Sequence, residues 1–356
     1  MWMSHERCTL FSGPSMLVGD AEPGGIASLE TLGWSGFFAD QVVADDPGCV
    51  PARIARVHRT RLVALAQAGE IELELPNRTN TADYAVGDWV TVETTSRMLV
   101  RRLDRKTLLQ RRTEGRSAQQ LAAANVDTLF IVTSCNADFN PARLERYLAL
   151  ANQGDIVPVI LLTKADTADD AETYRSQAMT LQRGLDVVVL DARSGEVGKT
   201  LAPWCGTGAT VALVGSSGVG KSTLVNSLAG LERDARQKTG GIRESDAKGR
   251  HTTTARSLHA IEGGGWVIDT PGLRTLHVSD SAEGIDALFS EITDLAPQCR
   301  FRDCTHDHEP GCAVQAAVRA GTLDADRLAR WRKLTQENRT NTPVMVGARG
   351  NKSRAR

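Results

Sequence analysis

The chain has 356 residues, enough for two or three domains that each bury a core, and a formal net charge of −1 argues against a uniformly basic or acidic binding protein. No apolar run approaches the length that spans a bilayer, and the opening MWMSHERCTL has no basic segment followed by an apolar one, so a soluble, cytosolic protein with no membrane partner is expected. The overall balance hides a separation of charge: residues 1–50 hold seven acids and one base, residues 51–116 hold thirteen Lys/Arg and eight Asp/Glu, and the remainder is neutral.

Residues 1–48 read as an acidic extension. From Pro51 to about Arg116 short segments alternate apolar and polar residues (ARIARVHRTRLVALAQ, EIELELPN, GDWVTVET, MLVRRLDR) between Gly, Asn and Asp turns, which predicts a small antiparallel β-barrel over 49–118. The module is basic and poor in aromatics: Tyr84 and Trp89 are its only ones, and Trp89 sits at a core position of a strand pattern. Arg53, Arg56, Arg59, Arg61, Arg101, Arg102, Arg105, Lys106, Arg111 and Arg112 are therefore expected to meet phosphates of folded RNA, with strong salt dependence.

From Ala122 buried strands alternate with helices. VDTLFIVTS, VPVILLTKAD, LDVVVLDA and ATVALVG read as strands. NPARLERYLALANQG reads as a helix capped by Asn140, with Pro141 at its first position and Gly154 at its end, and ADDAETYRSQAMTLQRG as the next helix. This alternation predicts a parallel sheet covered on both faces over 119–280, with RSLHAIEGGGWVIDT as a hairpin closing its edge. A mostly α unit is expected over 281–340. The tail 341–356 carries Arg349, Lys352, Arg354 and Arg356 without an acid from Gly347 onward, and reads as disordered and open to RNA.

Gly215-Ser216-Ser217-Gly218-Val219-Gly220-Lys221-Ser222, followed by Thr223, fits the phosphate-binding loop in full and lies between a strand and a helix, as that motif requires. Its glycines free the backbone N–H groups to wrap a β-phosphate, Lys221 reaches the β- and γ-oxygens, and Ser222 is placed to ligate Mg²⁺. Downstream, Asp269-Thr270-Pro271-Gly272 follows a strand, so Asp269 would hold Mg²⁺ through water and the Gly272 amide would meet the γ-phosphate. Between them GRHTTTAR offers Thr252 and Thr253 to close over the metal, with Thr253 the favoured ligand.

Guanine differs from adenine in presenting an N1–H and a 2-amino group side by side, and one carboxylate accepts from both. Thr163-Lys164-Ala165-Asp166, at the carboxyl end of a strand, supplies Asp166 for these bonds and the Lys164 stem for the base face. Its first residue is Thr rather than the commoner Asn. Leu190-Asp191-Ala192 occupies the place where a Ser-Ala pair usually backs the base. Base recognition thus precedes the phosphate loop, the reverse of the usual order, and an order that a circular permutation of one packed sheet preserves in space.

Cys299, Cys304, His306 and Cys312 lie within fourteen residues as C-x4-C-x-H-x5-C, a closed set for structural zinc; His308 is an alternative ligand, and three reduced core thiols are the other reading. Together VGDWV, QQLAAANVDTLFIV, RLERYLALA, PVILLTKAD, GSSGVGKSTLVNSL, GRHTTTAR, DTPGLR and CRFRDCTHDHEPGCAV make the chain resemble the ribosome small-subunit-dependent GTPase A family (RsgA, also called YjeQ) over roughly residues 50–340. That resemblance implies an OB-fold domain, a circularly permuted P-loop GTPase and a zinc domain, working as a monomer with GTP and GDP on the 30S subunit and its 16S rRNA late in maturation. Leu273 follows Gly272 where many GTPases place a water-orienting Gln, so slow intrinsic hydrolysis is expected. The resemblance also points to His251 as the residue that completes the site with Thr253 and Lys221. Two other classes stay open on the residues alone: a translation-regulating or other RNA-associated GTPase, and a zinc-stabilised RNA-binding module with a vestigial nucleotide site or an ATPase.

Overall fold

A computed structural model describes residues 28–42, 48–112, 119–230, 256–269 and 278–342, with the backbone of 344–346 and 352–354. The first strands, β1 (Cys49–Val57), β2 (Leu62–Ala66), β3 (Gly69–Leu73), β4 (Trp89–Glu93) and β5 (Leu99–Arg102), follow the predicted alternation. β1 pairs antiparallel with β2 and β4, β2 with β3, and β4 with β5. A parallel bridge between Glu74 and Met98 joins the end of β3 to the start of β5 and closes the ring. Its inward face is Ala52, Ile54, Leu62, Ala64, Leu73, Val90, Val92 and Leu99.

The segment before the barrel is integral to it. Helix α1 (Gly36–Ala39) and the turn before it place Leu32 and Phe38 against Trp89 and Leu103, all four buried. Trp89 is thus core, as its position in the pattern implied. The indole of Trp266, far along the chain, donates to the Thr31 carbonyl at 2.6 Å.

A hairpin of β6 (Leu108–Arg112) and β7 (Gln119–Ala124) leads into the α/β unit. There β8 (Thr128–Ser134), β9 (Val157–Thr163), β10 (Asp186–Val189) and β11 (Thr210–Gly215) are parallel, and β12 (Ser257–Ala260) and β13 (Trp266–Asp269) form the predicted hairpin. α2 (Pro141–Gln153), α3 (Ala171–Met179), α4 (Val197–Leu201) and α5 (Lys221–Leu228) cover the two faces. The Asn140 carboxamide accepts the Arg143 N–H at 3.0 Å, so α2 starts as its sequence dictates.

One expectation fails at the sheet edge. The hairpin does not close the sheet, because β12 pairs with β1 of the barrel through Arg56 and Ser257. Eleven strands therefore run without interruption, β10-β9-β8-β11-β13-β12-β1-β2-β3 with β4 and β5 attached to β1. An antiparallel hairpin beside a parallel sheet leaves unpaired N–H and C=O groups, and the barrel strand covers them.

The C-terminal unit comprises α6 (Ala282–Leu288), α7 (Ser290–Thr293), α8 (Ala313–Arg319) and α9 (Ala325–Asn341). A last hairpin pairs β14 (Val344–Val346) with β15 (Lys352–Arg354), so part of the tail read as disordered is a strand. α9 docks through charge as well as apolar contact. Arg327, buried over the Phe289 ring, bonds Glu145 of α2 (2.8 Å), Glu291 (2.7 Å) and the Leu288 carbonyl (2.8 Å). The same helix accepts the Asp280 N–H at Thr342 Oγ1 (2.9 Å) and the Ser281 N–H at Asn338 Oδ1 (3.0 Å), which fixes the chain as it enters this unit.

α6 meets α2 at a glycine. A Cβ on Gly284 would stand 2.1 Å from the Ala149 carbonyl oxygen and 2.8 Å from the Gln153 nitrogen, both backbone atoms that cannot yield alone. Gly284→Ala should force the helices apart and lower stability by about 2–3 kcal/mol, the range of an overpacked core. Thermal unfolding of the purified variant checks this, and an unchanged midpoint would refute the close approach.

Candidate nucleotide site and metal cluster

The phosphate loop occupies the turn between β11 and α5. Gly215, Gly218 and Gly220 have φ of 143°, 80° and 99°, values a side chain disfavours. At Gly215 a Cβ would also lie 2.1 Å from the Val132 carbonyl oxygen of β8, so the loop requires glycine there twice over. Ser217, Gly218 and Ser222 are exposed, Val219 is buried, and Ser216, Lys221 and Thr223 are half-buried. The Lys221 ammonium donates to the carbonyls of Gly215 (2.8 Å) and Ser216, which holds it over the loop.

The residues expected to recognise the base begin where β9 ends. Thr163 is buried and its hydroxyl lies 2.7 Å from the Val219 carbonyl and 3.1 Å from that of Thr133. A threonine thus makes the link from base motif to phosphate loop that a longer Asn would make differently. Lys164 adopts the left-handed region (φ 56°) and stands exposed, and Asp166 lies exposed on the following turn. In the sheet order, β10 and β9 lie on one side of β11 and β13 on the other. A nucleotide across these carboxyl ends would have its base at β9–β10 and its phosphates at β11–β13.

Asp269 is the last residue of β13, register-paired with Ser257 of β12. On the same face Ser257 Oγ is 2.7 Å from His259 Nε2, and burial lowers the His259 pKa against the opposing pull of Asp269, with Arg56 lowering it further. This pair went unread in the sequence, although the S-L-H alternation on a strand was its available signal. His251, Thr252, Thr253, Gly272 and Leu273 lie outside the described residues.

The four predicted metal ligands converge. One donor atom each from Cys299, Cys304, His306 and Cys312 falls within 4.8 Å of the others. Cys299 and Cys312 sulfurs are 3.9 Å apart, and each is 3.5 Å from His306 Nδ1. A tetrahedral ion bonded to sulfur at about 2.3 Å and nitrogen at about 2.1 Å needs edges of about 3.8 and 3.6 Å, so the donors fit such a metal. Burial lowers the His306 pKa, favouring the neutral ring that ligates. His308 is solvent-exposed and sits beside Asp307 instead, so the structure selects His306. The surrounding loop is anchored: Gln315 donates to the His306 carbonyl (2.8 Å), Arg332 donates to the same oxygen, and Trp331 packs on the ring. Hydrogen bonds from Thr305 hold the Glu309 carboxyl well below the usual carboxylate range while it caps the turn.

The profile of the RsgA GTPase family matches residues 102–279. A protein of Mesorhizobium japonicum named small ribosomal subunit biogenesis GTPase RsgA is 68% identical over 328 residues, covering 92% of this chain and 95% of its own. The chain belongs to the RsgA GTPase family. A second relative, RsgA 2 of Vibrio parahaemolyticus, is 45% identical over 327 residues, 90% of this chain and 88% of its own. Among solved structures, YjeQ from Thermotoga maritima superposes with a TM-score of 0.60 at 26% identity, covering 81% of this chain and 98% of that one. YloQ, titled a circularly permuted GTPase, gives 0.58 at 22% identity over 85% and 100%, which supports the permuted fold.

Within this RsgA family member the basic residues of the barrel divide into distinct fates. Arg53 is 1% exposed and cannot reach an RNA phosphate; strand alternation turned it out of the barrel, but that side faces the α/β sheet. Arg105 is committed to the buried Asp88 at 2.6 and 2.7 Å. Arg56 and Arg61 pair at the surface with Glu70 and Glu72, and Arg101 donates to the Gln41 carbonyl. Surface pairs are weak enough to exchange for phosphate, and Arg59, Arg102 and Lys106 stand exposed. Side chains of Arg111 and Arg112 lie outside the described residues. No helix among the described residues is long and apolar enough to cross a membrane.

Proposed function

We propose that this protein hydrolyses GTP to GDP and phosphate during maturation of the small ribosomal subunit, the process named for its RsgA relatives. The observation that carries the nucleotide half is the Thr163 hydroxyl on the Val219 carbonyl at 2.7 Å, which builds base motif and phosphate loop into one site. Asp166 accepts from the guanine N1–H and 2-amino group, and Lys164 lies along the base. Backbone N–H groups from Gly215 to Thr223 receive the phosphates, and Lys221 neutralises the β- and γ-oxygens. Ser222 and Thr253 would hold Mg²⁺, with Asp269 acting through water and the Gly272 amide meeting the γ-phosphate. The ion would supply positive charge to offset the negative charge that develops on the phosphate oxygens. His251 orients the attacking water in place of the Gln that Leu273 replaces. Zinc is the ion of the cysteine cluster, where four protein donors leave no position for substrate water and make its role structural.

The five-strand order β1-β2-β3-β5-β4 of the barrel is that of an OB fold, and it contacts 16S rRNA through Arg59, Arg102 and Lys106 together with the exchangeable Arg56 and Arg61. The protein works as a monomer in the cytoplasm. Single-turnover GTP hydrolysis with and without purified 30S subunits tests this reading. Intrinsic turnover should fall within about 10⁻⁴ to 10⁻² s⁻¹ and rise severalfold or more with 30S at low salt. Equal rates with and without subunits would overturn the ribosomal role, and tighter ADP than GDP binding would overturn the guanine site.

A further inference from the structure

β12 stands between the barrel and the metal motif, and its side chains bridge the two. Arg56 of β1 is register-paired with Ser257, and Ser257 in turn with Asp269 of β13. Residues directly opposite one another in antiparallel strands point to the same face, so the three side chains form one rung across the seam. His259, the next residue of β12 on that face, places Nε2 2.7 Å from Ser257 Oγ and lies within electrostatic reach of both Arg56 and Asp269. The rung carries a cation at the barrel end, a hydroxyl and an imidazole between, and a carboxylate at the metal end. It spans two strand spacings, or about 10 Å.

The backbone of the rung is fixed. On the opposite face of β12, Leu258 is paired with Ile268 in the main core, and a slip of one residue would turn Leu258 out and Ser257 and His259 in. Just before the strand, the Arg256 guanidinium donates to the Leu121 carbonyl of β7 at 2.6 Å. What can change is the partner of Arg56. It pairs with Glu70 at the surface, and an exposed ion pair is weak enough to exchange for a phosphate.

We infer that this rung couples RNA binding on the barrel to the metal motif: a phosphate that draws Arg56 from Glu70 changes the charge facing the Ser257–His259 pair, and Ser257 passes the change to Asp269. Ser257 acts through Asp269 and is a positioning residue. The barrel docks on the strand that lies directly against the metal motif, so the signal crosses two strand pairings and not the length of the molecule. The inference rests on the ribosomal GTPase reading and adds the route by which the subunit acts. Linkage makes such a coupling reciprocal, so the nucleotide that completes the metal site must also change the affinity for RNA.

The test compares Ser257→Val with Ser257→Thr, side chains of similar size that strands favour and that differ in the hydroxyl. Single-turnover GTP hydrolysis by the full chain is measured with and without saturating 30S subunits, and 30S binding is measured with GDP and with a non-hydrolysable GTP analogue. Ser257→Val should cut the ratio of stimulated to intrinsic rate about fivefold, the net value of one hydrogen bond, and narrow the affinity difference between the two nucleotide states by a similar factor. Ser257→Thr, which keeps the bond, should hold both within about twofold of the wild type. Affinity for 30S in GDP should be the same for all three proteins, which separates coupling from binding. Equal stimulation of the Val and Thr proteins overturns the coupling, as does a loss of stimulation in Ser257→Val matched by lost 30S binding in GDP. Wild-type protein that 30S leaves unstimulated overturns the ribosomal reading instead.

Discussion

Replacing Cys312 with serine, or stripping the full chain with a strong chelator, should release one equivalent of zinc and melt the loop 299–312. Structural zinc contributes on the order of 10 kcal/mol to units of this kind, because the site exists only in the folded state. Beyond the metal the segment is held by few contacts, chiefly Gln315 and Arg332 on the His306 carbonyl and Arg332 on Asp307, while Arg300, Arg302, Asp303 and Thr305 are exposed and its buried groups are the ligands Cys312 and His306. Cys312 also caps α8 by accepting the Gln315 N–H at 3.4 Å, so that helix should fray at its start. α9 should persist, since Arg327 to Glu145 and the apolar contacts of Leu328 and Leu334 belong to the main core. Metal analysis with hydrogen exchange measures both parts. Exchange should rise by orders of magnitude over 299–312 and little over 325–341. His306→Ala should match Cys312→Ser, whereas His308→Ala should be silent. Retained metal in Cys312→Ser with unchanged exchange would refute the assignment.

The parts of this molecule that were legible in its sequence are those whose signals are short. The phosphate loop, Thr163 to Asp166 and the cysteine cluster each lie within a few residues, and local geometry dictates their form: glycine where φ is positive, a carboxylate after a strand, ligands at tetrahedral reach. Helix α2 was equally open to reading, since Asn140, Pro141 and Gly154 mark both of its ends. Contacts between distant segments were closed to this kind of reading. β7 is QQLAAA, a run of poor strand formers, and it exists because β6 pairs with it and Ala122 and Ala123 fill the core beneath. The junction of β12 with β1 joins positions two hundred residues apart at a single register pair, Arg56 with Ser257, which no local pattern encodes. Charge misled for the same reason. A count of arginines measures potential partners, but whether the partner is an rRNA phosphate, Asp88 or a backbone carbonyl depends on what folds against each one.

Arg53 shows how far that dependence goes, and Arg53→Met should be the most destabilising single change in the barrel. Its guanidinium donates to the Leu32 carbonyl (2.6 Å), the Thr210 hydroxyl (2.8 Å), the Asn125 carbonyl (3.2 Å) and the Gly87 carbonyl (3.4 Å). These four acceptors belong to the segment before the barrel, the start of the phosphate-loop strand, the turn before β8 and the barrel itself. Burial lowers its pKa to about 10, against the pull of Asp127 and Asp88, so the cation stays charged at neutral pH and its donors stay in use. Methionine fills much of the volume but donates nothing, leaving buried acceptors unpaired at about 1–3 kcal/mol each. Relief of the buried charge offsets part of this, and a net loss of about 3–5 kcal/mol is expected. The distinguishing result is in the shape of unfolding. Arg53 bonds both the barrel and the strand that enters the phosphate loop, so its loss should split one calorimetric transition into two, with the barrel melting first. Arg53→Lys, with a point charge too compact to span four acceptors, should fall between. A single transition shifted by less than about 1 kcal/mol would mean that the β12 to β1 pairing and the Trp266 indole on Thr31 suffice to hold barrel and GTPase unit together.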